Sequence, residues 1–278
     1  TVATVDVPIS TPVMLSMPPI SDNLCGASFL VCRKFMRAFI RIQHSGDFYD
    51  QNCYSVYHGC SKLDIPIVRY KAIYSVTDNA PTDLVVGAFS DVKVALERLG
   101  VILLPIDYPD ELLPFTGRKI WKSTLFTITS HPDYWHVFVK PVEDVKRFRG
   151  TILDKSEDLI KLGGGLEDIE VWCSEKVNFL AEWRIWILDG KIIGINPYRG
   201  RWDLYPDPKV LQQAVNAYHS APRAYALDFG ITDKRETLLV EVSDAYALSS
   251  FGLDSVLYTK ILITRWQELT STIKISVE

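Results

Sequence analysis

The chain has no excess of basic charge, no apolar run of membrane-spanning length and no phosphate-loop or nucleophile-elbow motif, and each absence removes a class of function. Its 278 residues carry 30 Lys and Arg against 34 Asp and Glu, a formal net charge of -4. A basic field able to hold a nucleic-acid backbone or an anionic membrane is missing, so neither partner is expected. No stretch approaches the roughly 18 apolar residues that a bilayer span needs. No Lys or Arg precedes Arg33 to make the basic start of a secretory signal, so the chain is expected to be cytoplasmic. Cysteine is sparse and odd in number: Cys25, Cys32, Cys53, Cys60 and Cys173. A chain of this size needs no disulfide staples, and the seven-residue steps from Cys25 to Cys32 and from Cys53 to Cys60 are too wide for zinc pairs, so buried thiols are expected. The basic turn KRFRGT (146–151) and the triplet Gly163 to Gly165 fit neither the phosphate-loop nor the dinucleotide pattern. His131 and His136 have no spaced nucleophile, which leaves hydrolase readings without support. Internal repeats and low-complexity segments are also lacking.

What is present is 47% hydrophobic content, enough for a substantial core, arranged in stretches of different character. Residues 1–23, rich in Pro, Ser and Thr, read as an extended arm. From Leu24 to Ile42 the apolar spacing predicts an amphipathic helix with Arg33, Lys34, Arg37 and Arg41 on a solvated side. Arm and helix together make a first region, 1–50, of open role. Short β-rich runs at Ile65 to Tyr70, Leu84 to Phe89 and Val101 to Pro105 alternate with a helical stretch at Asp91 to Leu99, the rhythm of a small α/β lobe over 51–115. Tyr108 to Phe115, with Pro109 and Pro114, reads as a linker.

Beyond it, from 116 to 278, long antiparallel strands are predicted at His136 to Val142, Ile169 to Val177, Glu182 to Leu188, Lys191 to Tyr198, Ala224 to Phe229 and Thr237 to Ser243. Asp189-Gly190 marks a hairpin turn, and helices at Pro208 to Tyr218 and Ser255 to Leu269 can cover the sheet.

Alternation along a strand decides which side chains meet. Asp228 faces away from Leu227 and Phe229, while Glu241 and Ser243 share a face opposite Val240 and Val242. Two acids on one face of neighbouring strands suit magnesium, which takes carboxylates together with phosphate oxygens. A solvent-facing sheet explains the same pattern, and alternation by itself leaves both open. Lys140, in an apolar strand just before Pro141, either snorkels to an edge or neutralises an anion. Glu182, Arg184 and Trp186 share a face, where Arg184 wants a carboxylate or a phosphate.

The segments DYPDELLPFTGRKIW (107–121), VFVKPVEDVKRFRG (137–150), VWCSEKVNFLAEWRIWILDGKIIGINPYRG (171–200), APRAYALDFG (221–230) and LLVEVSDAYALSSFGLDS (238–255), closing on RW (265–266), carry a resemblance across more than half the chain. In that order they resemble a clade of ATP-grasp proteins known mainly from phages and bacteria. The resemblance implies an α+β ATP-grasp fold, two subdomains clamping a nucleotide, preceded by the small α/β lobe. It implies ATP and magnesium as cofactors and a ligase that joins a small-molecule or peptide carboxylate to an amine through an acyl phosphate.

It further implies that Arg118 and Lys140 meet the phosphates and that the backbone of 172–177, around Ser174, Glu175 and Val177, meets adenine. Glu182 would lie near the ribose or the metal, Arg184 on phosphate or the acyl phosphate, and the loop Lys146 to Gly150 over the triphosphate. Asp228 and Glu241 match the family's metal-binding acids. Where the family reads Glu-x-Asn-Asp-Gly, this chain has Glu241-Val242-Ser243-Asp244-Ala245. A hydroxyl is a poorer magnesium ligand than an amide carbonyl. Either Asp244 enters through a bulge, water fills the place, or catalysis is impaired, and the last leaves an ATP-binding regulator or a structural protein as rival readings.

Overall fold

Chain order begins with β1 (Ala38–Arg41), α1 (Gln51–Lys62), β2 (Ile67–Tyr70), β3 (Leu84–Val86) and α2 (Phe89–Arg98). The structure is a computed structural model that describes residues 36–142, 148–162 and 167–271, and Met36–Glu278 forms one compact unit. The expected arm, the expected helix up to residue 35, Lys146 and the Gly163 to Gly165 triplet lie outside the described residues.

Where Leu24 to Ile42 was expected to stay helical, the described end is strand. β1 is the centre of a three-stranded parallel sheet of order β2-β1-β3, with Ala38 paired to Ile67 and to Leu84. Ala38, Phe39 and Ile40 are buried, as a strand covered on both faces must be, and that tertiary pairing overrides the helical spacing. Arg37 and Arg41 are not a solvated stripe either: Arg37 pairs with buried Asp83 at 2.7 Å and Arg41 with Asp91 at 2.9 Å. The expected strand at Leu84 to Phe89 ends at Val86, since Phe89 opens α2. No strand forms at Val101 to Pro105, where Ile102 and Leu104 are 84% and 74% exposed instead of pairing into the sheet. The expected linker is packed: a 3-10 turn at Asp110–Phe115 drives Leu112 into the main core.

There follow β4 (Ile120–Thr124), α3 (Leu125–Ser130), β5 (Val137–Pro141), β6 (Thr151–Leu153), β7 (Glu170–Glu175), β8 (Phe179–Leu188), β9 (Lys191–Gly200), α4 (Pro208–Ala217), β10 (Ala224–Thr232), β11 (Thr237–Asp244) and α5 (Ser255–Thr270). They make two four-stranded antiparallel sheets, β4-β7-β5-β6 and β11-β10-β8-β9. Asp189 and Gly190, both at positive φ, turn β8 into β9 as the hairpin signal requires. In the larger sheet Trp183, Ile185, Ile187, Tyr225, Leu227 and Phe229 alternate onto one face and bury against α4 and Leu112. The smaller sheet buries Val137, Val139, Val171 and Cys173 against α3. The opposite faces of both sheets are free to carry polar side chains. Among the described residues no helix is long and apolar enough to cross a membrane.

Candidate functional site

Strand register lines up the polar face of the larger sheet. Glu241 lies opposite Asp228, Asp228 opposite Arg184 and Arg184 opposite Asn196, one row across β11, β10, β8 and β9. Directly opposed residues share a face, so this row converges by geometry alone. Arg184 holds Asp228 with two parallel bonds, Nε to Oδ1 at 2.8 Å and Nη2 to Oδ2 at 2.7 Å, and both side chains are buried. Burial pushes the Asp228 carboxyl up against the pull of Arg184. Next to the row, Glu182 accepts from the Tyr198 hydroxyl at 2.8 Å and from Arg199 Nη1 at 2.7 Å.

The smaller sheet supplies the other wall. Register places Lys122, Trp172 and Lys140 in one row on the face away from its core. From there Lys140 donates through Nζ to Glu241 Oε2 at 2.9 Å and to Asp107 Oδ1 at 2.7 Å, with its ammonium 4.7 Å from the Tyr108 ring. Burial would lower the Lys140 pKa, but Glu241, Tyr108 and Asp107 together raise it, so the ammonium stays charged. Burial likewise works to raise Glu241, and Lys140, Arg184 and Arg118 together outweigh it, holding that carboxyl below its ordinary value. Asp107 is pushed up by burial, and its Oδ2 has no hydrogen-bond partner.

A bulge decides how the walls join. Asp228 pairs with Glu241 and Phe229 with Leu239, which leaves Val240 as an extra residue in β11. Arg118 donates to the carbonyls of Leu239 at 2.7 Å and Val240 at 2.9 Å, while its Nε lies 3.4 Å from Ser174 Oγ on the smaller sheet. Ser174 and Glu175 end β7, and Lys176, Val177 and Asn178 carry the chain across to β8, so this stretch connects the sheets.

Of the residues singled out from the sequence, Lys140, Arg184, Asp228 and Glu241 meet in one contiguous set. Arg118 and Ser174 clasp the sheets beside it, Glu182 stands one row along, and Glu175 and Val177 mark the connection. Asp244 stands apart: alternation turns it away from Glu241, and Arg265 of α5 holds both of its oxygens at 2.7 Å. The bulge sits at Val240, not where it would swing Asp244 inward. Sequence reasoning gave no role to Asp107, Tyr198, Arg199 or Arg265. All four fall within the segments that carry the resemblance (107–121, 171–200 and 265–266), so their position was visible but not their contacts.

The set is charge-balanced, three cations (Arg118, Lys140, Arg184) against three acids (Asp107, Asp228, Glu241). Among the described residues no three His, Cys, Asp or Glu side chains gather to hold a metal ion. Two opposed carboxylates nonetheless fit magnesium, which fills its remaining positions with water and phosphate oxygens. The chemistry available is the binding of a polyanion together with a divalent cation.

Comparison with known proteins bears on that chemistry. A family described as an ATP-grasp domain, family 2 of its clade, matches residues 115–261. Among solved structures, the D-alanine–D-alanine ligase of Bacillus anthracis complexed with ATP is 14% identical with a TM-score of 0.53, over 85% of this chain and 98% of the ligase. The D-cycloserine synthetase DcsG is 11% identical with a TM-score of 0.52, over 83% of this chain and 99% of that one. No curated protein matches the sequence.

Proposed function

Because the chain belongs to this ATP-grasp family, the second of its clade, and has the fold of that superfamily, we propose that it is an ATP- and magnesium-dependent ligase joining a carboxylate to an amine. The observation that carries this reading is the paired row: Asp228 with Arg184, and Glu241 with Lys140 reaching over from the facing sheet. Magnesium, when bound, neutralises phosphate charge and orders the phosphate oxygens. Asp228 and Glu241 would hold it, with the Ser243 hydroxyl a weak third donor. Their release from Arg184 and Lys140 frees those two cations for the phosphates, so charge is conserved as partners change. Arg118 adds a third positive group, and the connection Ser174 to Val177 offers backbone to the base.

The substrate carboxylate oxygen attacks the γ-phosphorus, the bond to ADP breaks with its electron pair going to ADP, and the acyl phosphate passes its acyl group to the amine. Arg184 and Lys140 are placed to stabilise the charge that develops. Ser243, standing where the clade's pattern has asparagine, supports a second reading in which nucleotide binds without turnover.

Calorimetry of ATP with and without magnesium, on wild type, Lys140→Ala and Asp228→Asn, tests the site. Magnesium-dependent binding weakened at least tenfold in both variants is expected. A folded wild type that ignores ATP sinks the ligase reading, and binding without substrate-dependent ADP release across carboxylate and amine panels favours the regulator.

A further inference from the structure

The turn between β11 and α5 breaks a local rule. Leu253 N donates to the Ser250 carbonyl at 2.9 Å, and the two residues between them, Phe251 and Gly252, stand at φ of 43° and 83°. Turns with both central residues at positive φ belong to Gly, Asn and Asp. Gly252 meets that demand, whereas Phe251 is strained by it, because its Cβ crowds the neighbouring carbonyl. Burial does not explain the residue either, since Phe251 is 37% exposed. A strained aromatic residue that the stability of the fold does not account for points to a role at the site beside it.

The contacts of the ring say which role. The turn is pinned at both ends: Ser250 N donates to Asn52 Oδ1 at 2.9 Å, and Leu253 fills the space that a Cβ on Gly194 of β9 would take. Phe251 is thereby set on Tyr198 of β9, with ring centroids 4.8 Å apart and planes within 16° of parallel. Tyr198 is fixed in turn by its hydroxyl, which donates to Glu182, while Arg199 grips the other Glu182 oxygen. Over the Phe251 ring lies the Arg184 guanidinium, 4.7 Å from the centroid, with the Trp186 ring at 5.6 Å and the Tyr198 ring at 5.9 Å. Three rings thus border the cation that holds Asp228 in the paired row.

A ring face holds a guanidinium differently from a carboxylate. Asp228 occupies the Nε and Nη2 donors of Arg184, the fork that a phosphate would use. A ring attracts the charge through its face and leaves the donors, which lie in the guanidinium plane, open. Loss of water strengthens that attraction, and Arg184 is only 6% exposed. When Asp228 turns to magnesium, Arg184 loses both short bonds and keeps one long contact, 3.4 Å from Nη1 to the Ser249 carbonyl. A long side chain so released spreads over many rotamers unless something else holds it. We infer that Phe251, backed by Tyr198, is a positioning residue that holds the Arg184 guanidinium ready for phosphate once Asp228 has left it for the metal. The departure of Asp228 rests on the ligase reading, whereas the hold of the ring on Arg184 does not.

Two measurements on the whole protein test this, each on wild type, Phe251→Leu and Phe251→Tyr. Leucine keeps an apolar side chain at the same strained position but has no ring face, and tyrosine restores the face, so thermal midpoints of both should stay near that of wild type. The first measurement needs no nucleotide. In the Asp228→Asn background, where an amide offers one acceptor in place of two, NMR follows the Arg184 Nε–H signal, identified by its loss in Arg184→Lys. It should stay sharp with Phe251 in place and with Phe251→Tyr, and with Phe251→Leu should broaden or exchange with water at least about fivefold faster. The second is calorimetry of magnesium ATP. Phe251→Leu should weaken binding at least about fivefold, Phe251→Tyr should restore it, and in an Arg184→Lys background, which keeps the charge without the plane, Phe251→Leu should change it less than about twofold. An Arg184 signal indifferent to Phe251→Leu, an ATP affinity that Phe251→Leu leaves unchanged, or an equal loss in both backgrounds overturns the inference. A ring-dependent Arg184 signal in a folded protein that ignores ATP upholds the hold on Arg184 and faults the ligase reading instead.

Discussion

At the scale of single residues, the site is a set of buried charges that neutralise one another. Removing one partner leaves the other buried and unpaired, which costs about 3–5 kcal/mol. Asp228→Ala should therefore lower stability by about that amount in chemical denaturation, because Arg184 is buried and its other polar contact is a long one to the Ser249 carbonyl. A loss under about 1 kcal/mol would mean that Arg184 finds water or another acid. Glu241 sets an acid limit. Its carboxyl titrates below its ordinary value, because Lys140, Arg184 and Arg118 together outweigh the effect of burial. A depressed acid contributes stability that is whole above the unfolded value, about 4.3 for glutamate, and is lost as the pH falls through the folded one. The advantage of wild type over Glu241→Gln should thus shrink as the pH drops below about 4.3, measured by denaturant midpoints across pH.

Elements are held together by close approach as well as by charge. α1 crosses α5 at Gly59, where an added Cβ would run into the Thr259 side chain and the Ser255 carbonyl. The helix-propensity gain of about 1 kcal/mol for alanine over glycine cannot offset a clash with backbone, so Gly59→Ala should destabilise by about 1–3 kcal/mol in thermal unfolding. An unchanged midpoint would show that the helices can part at no cost. The same element scale explains the misread stretch before Ile42. Periodicity weighs only neighbours along the chain, and β1 owes its form to β2 and β3 on either side, from residues 67–70 and 84–86.

Across the whole molecule, the two four-stranded sheets are clasped by Arg118, which reads carbonyls that the β11 bulge turns out of the ladder. Hydrogen bonds to charged groups contribute about 1.5–3 kcal/mol each, so Arg118→Ala should cost at least about 2 kcal/mol. It should also speed amide exchange in β11 ahead of the central strand β10. Equal protection of β11 in variant and wild type would show that the clasp does not hold the sheets.

Much of this was legible in the sequence. Six of the eight antiparallel strands described after residue 116 (all but β4 and β6), the Asp189-Gly190 hairpin, the family and the shared face of Asp228 and Glu241 follow from local patterns: a period of two, a turn dipeptide, a motif order. Such patterns are set by residues close in the chain, and so survive without knowledge of the fold. What faces what across a gap was not legible. That Lys140 bridges Glu241 and Asp107, that Arg118 grips Leu239 and Val240, and that Asp244 belongs to Arg265 were decided only by the tertiary structure. The physical reason is that these contacts join residues from 21 to 122 positions apart, whose meeting depends on how separate cores pack and not on any local preference.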